Sequence, residues 1–161
     1  MKSKNISVLI FFILVCEGAG LIGTYFTIPS IPTWYATLTK SPFTPPSWVF
    51  GPVWTTLFLL MGIAAYFVWK EMQNPEKKKS AQTAFAVFAS QLALNVLWSI
   101  LFFGMHNPGL AFIGIIVLWL MIVRTIMQFA KVSKTAAWLL APYILWVSFA
   151  AYLNYALWIM H

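Results

Sequence analysis

The sequence predicts an all-α integral membrane protein, a bundle of five transmembrane helices with the N-terminus cytoplasmic and the C-terminus outside. Three observations predict it. The 161-residue chain is 61% hydrophobic and only 8% charged, with a mean hydropathy of +0.83, whereas a soluble domain is roughly half apolar and a quarter charged. Five apolar runs are each long enough for a span, which needs about 20 residues. The charged residues fall almost wholly between those runs.

The first span is expected at about residues 6–26. Its opening, "MKSKN" before an apolar run, resembles a secretory signal, but the run is longer than an h-region and no A-x-A site closes it. It is read as a retained first helix. "ILVC" is a poor lipidation site because Val15 stands where a small residue is needed. Cys16 is the single cysteine, so no internal disulfide exists, and in an apolar run it behaves as a small hydrophobe.

Residues 27–47 follow as a loop containing "WYATLTKSPFTPP" and the prolines Pro29, Pro32, Pro42, Pro45 and Pro46. Proline fixes φ and removes a donor, so this loop is expected to be stiff without regular hydrogen bonding. It is read as a pocket lid that holds Trp34 and Tyr35 over a pocket mouth. The plainer reading places both rings in the interfacial aromatic belt, together with Trp48, Trp69 and Trp158.

The second span, about 48–69, carries Trp54, Phe58 and Met61 along one side. The third, about 81–103, has two faces at 100° per residue. Ala86, Ala89, Ser90 and Ala93 form a small-residue stripe suited to close helix packing, within the bundle or across a dimer. Gln91, Asn95, Trp98 and Ser99 lie nearly opposite and are expected to point inward, because polar groups are costly in hydrocarbon. The fourth span is placed at about 108–129, after a short 104–107 loop. The fifth, about 136–159, aligns Trp146, Ala150 and Leu153. Aromatics and a few amides converging under the long loop are the make-up of a pocket for a flat, mostly apolar ligand.

The charge distribution sets the topology. Of ten basic residues, Lys2, Lys4, Lys70, Lys77, Lys78, Lys79, Arg124, Lys131 and Lys134 fall on one side and only Lys40 on the other. The positive-inside rule makes the lysine-rich side cytoplasmic. Topology thus accounts for the net charge of +7, and a nucleic-acid partner is not expected. With no repeat, low-complexity tract or linker, residues 1–161 read as one domain. No Ser-His-Asp set, cysteine cluster or glycine-rich phosphate loop is present, and no metal ligation is expected.

Two polar residues stand apart. Glu17 is the only acid within a span, and an intramembrane carboxylate marks function by default. It is read either as part of a proton or substrate path or as a packed, hydrogen-bonded interior group among Gly18, Ala19, Gly20 and Gly23. His106 is read as a solvated loop histidine in preference to an axial haem ligand.

Three stretches, "WYATLTKSPFTPPSWVFGPVWTTLFLLMG" (34–62), "QLALNVLWSILFFG" (91–104) and "APYILWVSFAAYLNY" (141–155), closely resemble the tryptophan-rich sensory protein and translocator protein family, also called the peripheral-type benzodiazepine receptor family. The resemblance implies five spans, commonly a homodimer, and a pocket closed by the first loop. Its ligands include porphyrins such as protoporphyrin IX, haem, cholesterol in animal members, and synthetic isoquinoline carboxamides and benzodiazepines; no cofactor is obligatory. By position in the motifs, Trp34, Tyr35 and Pro45 match the lid, and Trp54 and Phe58 the second-helix wall. Asn95 and Trp98 match the third-helix wall, and Trp146 and Ala150 the fifth. Leu153 joins them as a ligand-binding candidate. In some bacterial members the tryptophans matching Trp54 and Trp146 are implicated in light- and oxygen-dependent porphyrin breakdown, which would make these two the catalytic residues. Ile159 occupies the basic position of the animal sterol motif, which argues against sterol recognition, and Leu110 replaces a drug-binding tryptophan. The resemblance therefore implies a porphyrin receptor or carrier in a bacterial cytoplasmic membrane, with a photo-oxidative enzyme or a transporter of sterols or other lipophiles as alternatives.

Overall fold

The computed structural model describes residues 2–161. Five helical stretches are long and apolar enough to cross a membrane: Ser3–Tyr35, Ser47–Glu71, Pro75–Gly104, Pro108–Val132 and Lys134–Met160. No strand occurs among the described residues. The six α-helices are α1 (Lys2–Ser30), α2 (Phe50–Glu71), α3 (Pro75–Ser99), α4 (Pro108–Val132), α5 (Lys134–Leu139) and α6 (Ala141–Met160).

Their ends follow from local chemistry. Asn74 accepts a hydrogen bond from the Glu76 N–H at 3.1 Å, and Pro75 occupies the first turn of α3, where its missing N–H costs nothing. Asn107 and Pro108 repeat the arrangement at α4, with the Leu110 N–H donating to Asn107 Oδ1 at 2.9 Å. Because α3 starts at Pro75, Lys77, Lys78 and Lys79 are helical and do not lie in a gap. Lys77 bridges to Glu71 at 2.6 Å and donates to the Val132 carbonyl at 3.2 Å, tying three helix ends together.

The first helix does not stop near residue 26. It continues to Ser30 and then widens into a π-helical turn, Ile31–Tyr35. Much of the expected 27–47 loop is therefore helix, and the irregular loop is confined to about residues 38–46. Pro29 and Pro32 lie inside the helical stretch, where each lacks the N–H that an α-helical register requires. A π turn is one way a helix absorbs such a break, and the Thr33 hydroxyl donates to the Pro29 carbonyl at 2.7 Å. A second π turn, Ile100–Gly104, ends the third span. The fifth span is also interrupted, at Leu140, because Pro142 in the first turn of α6 cannot continue the α5 register.

Small residues let the helices approach closely. A Cβ on Gly62 of α2 would lie 2.6 Å from the Ile13 Cα of α1, so the two backbones touch there. Both faces expected for α3 are observed: Gln91, Asn95, Trp98 and Ser99 are buried, whereas Ala86, Ala89, Ser90 and Ala93 are exposed on the outside of the chain.

Candidate functional site

Between α1, α2, α3 and α6 lies a cavity of about 470 Å³. Its walls come from the C-terminal halves of α1 and α3, the N-terminal half of α2, and residues 146–157 of α6. It therefore occupies the half of the bundle nearer the 38–46 loop, the 104–107 loop and His161, remote from the lysine-rich end. Leu21 and Ile28 of α1, Trp48 in the 3-10 turn just before α2, and Thr55 of α2 line it and are also exposed on the outer surface. The cavity thus opens sideways between α1 and α2, toward the layer those spans cross.

Of the ligand-binding candidates, Tyr35, Trp54, Phe58, Asn95, Trp98, Trp146, Ala150 and Leu153 all line this cavity. Trp34 and Pro45 do not. The Trp34 ring stacks on His106 instead, at 4.5 Å between centroids and 13° between planes, and meets Phe102 edge-on at 5.5 Å. His106 is an exposed loop histidine that is also held in place: its Nε2 lies 2.8 Å from the Ser30 hydroxyl, which donates to the Phe103 carbonyl at 2.8 Å. Its φ of 52° places it in the left-handed region. Together Ser30, Trp34 and His106 fasten the end of the first span to the 104–107 loop.

The aromatic wall is built from neighbouring rings. Trp54 tilts against Phe58 at 5.7 Å and meets Tyr143 edge-on at 6.3 Å. Trp98 stacks on Phe102 at 5.3 Å, and Trp146 meets Phe50 edge-on at 6.1 Å. The Phe58 ring fits only because residue 20 is glycine, where an added Cβ would come within 2.7 Å of it.

The polar atoms behind that wall are consumed internally. Asn95 donates to the Tyr143 hydroxyl and Tyr143 donates to Gln91 Oε1, both at 2.8 Å. Trp98 Nε1 donates to Asn154 Oδ1 at 3.0 Å, and Asn154 Nδ2 donates to the Pro108 carbonyl at 2.7 Å. Asn95 and Trp98 therefore offer the cavity mainly surface and shape. The indole N–H of Trp146 is buried without a protein partner. Replacing Tyr143 with phenylalanine is expected to strand Gln91 Oε1 and Asn95 Nδ2 and to lower stability by about 1 to 3 kcal/mol. Thermal unfolding in detergent checks this, and an unchanged midpoint would show that the chain carries no net stability.

Sequence reasoning overlooked several contributors. Trp48, expected only in the interfacial belt, stands at the cavity rim, and Phe50, Phe102 and Asn154 also line it. Asn154 had a legible signal, since an amide within an apolar span must find an interior partner. Among the described residues no group of three His, Cys, Asp or Glu side chains comes together.

The five apolar helical stretches define a multi-pass membrane protein, with an aromatic-walled cavity in one half of its bundle. The chain belongs to the TspO/MBR family, whose profile matches residues 12–159. It is 43% identical over 155 residues to the tryptophan-rich protein TspO of Chlorobaculum tepidum, covering 96% of each chain. It is 42% identical to the protein of the same description from Archaeoglobus fulgidus, over 98% of this chain and 99% of the relative. The translocator protein of Ovis aries is 41% identical over 91% of this chain and 86% of its own length.

Proposed function

We propose that this protein is a membrane receptor or carrier that takes up protoporphyrin IX, haem or a related flat hydrophobic molecule in the cavity beneath the 38–46 loop, and so takes part in tetrapyrrole regulation or transport. The observation that carries the reading is the cavity itself: aromatic rings on three helices, few free polar groups, and a sideways opening to the layer where such a ligand dissolves. The loop is suited to act as a lid. Its Thr39 N–H donates to His161 Nε2 at 3.0 Å, Ser41 lies 3.1 Å from the Tyr152 hydroxyl, and Lys40 sits 4.7 Å over the Tyr35 ring. The exposed small-residue face of α3 is where a second copy would pack in the homodimer that the resemblance implies. The charge partition favours a cytoplasmic membrane with the lysine-rich end inside.

The second reading, light- and oxygen-dependent porphyrin breakdown, is favoured by one observation: Trp54 and Trp146 both line the cavity, placing two oxidisable indoles beside any bound photosensitiser. One experiment separates the two. The purified protein is titrated with protoporphyrin IX in the dark, following tryptophan quenching, and the saturated complex is then illuminated in air. Saturable quenching without a protein-dependent product is the expected result for a receptor or carrier. A defined product that disappears in Trp54→Phe and Trp146→Phe would make the protein an enzyme. Absence of saturable quenching would remove the tetrapyrrole reading.

A further inference from the structure

Glu17, half-buried on α1, lines the cavity at the side farthest from the 38–46 loop and has no assigned role. Gly20, Leu21, Thr24 and Ile28 follow it at helical spacing on α1 and line the same space, so this acid stands on the cavity-lining side of α1, beside the sideways opening. Among the described residues Glu17 takes part in no ion pair and no hydrogen bond, whereas Glu71 is paired with Lys77. No lysine, arginine or histidine lines the cavity. Lys40, at the loop end, does not line the cavity and donates to the Leu38 carbonyl at 3.0 Å above the Tyr35 ring.

We propose that the cavity also receives flat, hydrophobic organic cations, with the Glu17 carboxylate as their counter-ion. Three physical arguments support it. A charge at membrane depth is retained where it serves a ligand, a partner or a pathway, and the protein supplies no partner. The rings of Trp54, Phe58 and Trp98 line the same space, and a desolvated cation is attracted to aromatic faces. An ion pair formed on this apolar wall at membrane depth is screened less than in bulk water, so a single carboxylate favours a cation over a neutral molecule of the same shape. The same arrangement orients an anionic tetrapyrrole, whose carboxylates would face the loop end, away from Glu17. The inference rests on the proposal that the cavity admits flat ligands.

The test uses two fluorescent probes of nearly the same shape, 1-pyrenemethylammonium and 1-pyrenemethanol, with the full-length protein in uncharged detergent. The wild type is expected to bind the cation at least ten times more tightly than the alcohol. Glu17→Gln should bring that ratio close to one, and Glu17→Asp, which keeps the charge, should preserve most of it. Protoporphyrin IX should displace the cation. A ratio near one in the wild type, or a preference that survives in Glu17→Gln, would overturn the proposal. If protoporphyrin IX binds but neither pyrene does, the cation site falls while the tetrapyrrole reading stands. If none of the three binds, both fall.

Discussion

Replacing Gly62 with valine is expected to lower the thermal midpoint in detergent by several degrees and to abolish ligand binding with it. The cause is backbone contact. A Cβ at residue 62 would meet the Ile13 Cα at 2.6 Å and the Ile13 nitrogen at 2.9 Å, and a main chain cannot rotate aside as a side chain does. The helices must separate, and overpacking of a close contact costs about 1 to 3 kcal/mol even where side chains absorb part of it. Helix α1 has little to compensate with, because Ile10, Phe11, Leu14, Leu21, Ile22, Tyr25 and Ile28 are exposed on its outer side. Once displaced, it carries Gly20, Thr24 and Ile31 out of the cavity wall. Gly18→Ala is the control: it lies on α1, the facing helix, with nothing within 4 Å of the added Cβ. It should be neutral or stabilising, by up to about 1 kcal/mol from helix propensity. A Gly62→Val midpoint equal to that of Gly18→Ala would show that α1 and α2 do not depend on this contact.

What was legible in the sequence was set by solvent preference. Hydrophobic run length gave five spans, and the 3.6-residue period separated the buried Gln91–Asn95–Trp98 side of α3 from its small-residue side, because hydrocarbon penalises a stray amide strongly. The motifs at 34–62, 91–104 and 141–155 named the residues that the fold brings to the cavity, from Trp54 on α2 to Leu153 on α6. What was not legible depends on partners far apart in the chain. The reading of residues 27–47 as a loop rested on its prolines, yet Pro29 and Pro32 are held in helix by a change of register that no local rule announces. Trp34 left the expected lid because Ser30 and His106 hold it from the other side, an arrangement that joins residues 30 and 106. Gln91 and Asn95 were placed inward, but their shared partner Tyr143 is on another helix, and only the assembled bundle shows that their polar atoms are already occupied. Glu17 could be read as a cavity group or a packed interior group until the structure placed it on the cavity wall without a partner.

Replacing Trp54 and Trp146 with alanine together is expected to weaken protoporphyrin IX binding by about 100-fold or more while leaving the fold intact. Fully burying a large apolar side chain is worth about 1.5 to 3 kcal/mol; each indole removed withdraws part of that from the ligand, and 1.4 kcal/mol is about tenfold in affinity. The two rings stand on different helices and contact different neighbours, Phe58 and Tyr143 for Trp54, Phe50 and Phe149 for Trp146, so each brings its own surface to the shared cavity. Truncation also strands nothing. The Trp146 N–H has no protein partner, in contrast to Trp98, whose removal would leave Asn154 Oδ1 unpaired and confuse a loss of stability with a loss of binding. Dark quenching titrations would read the affinity through the remaining tryptophans, and helical signal and thermal midpoint would verify folding. An affinity within threefold of wild type would remove these rings from the binding wall. The phenylalanine pair, Trp54→Phe with Trp146→Phe, keeps an aromatic surface but removes the readily oxidised indole. It should retain most of the affinity, so that any loss of a photoproduct in that variant reports on electron transfer and not on occupancy.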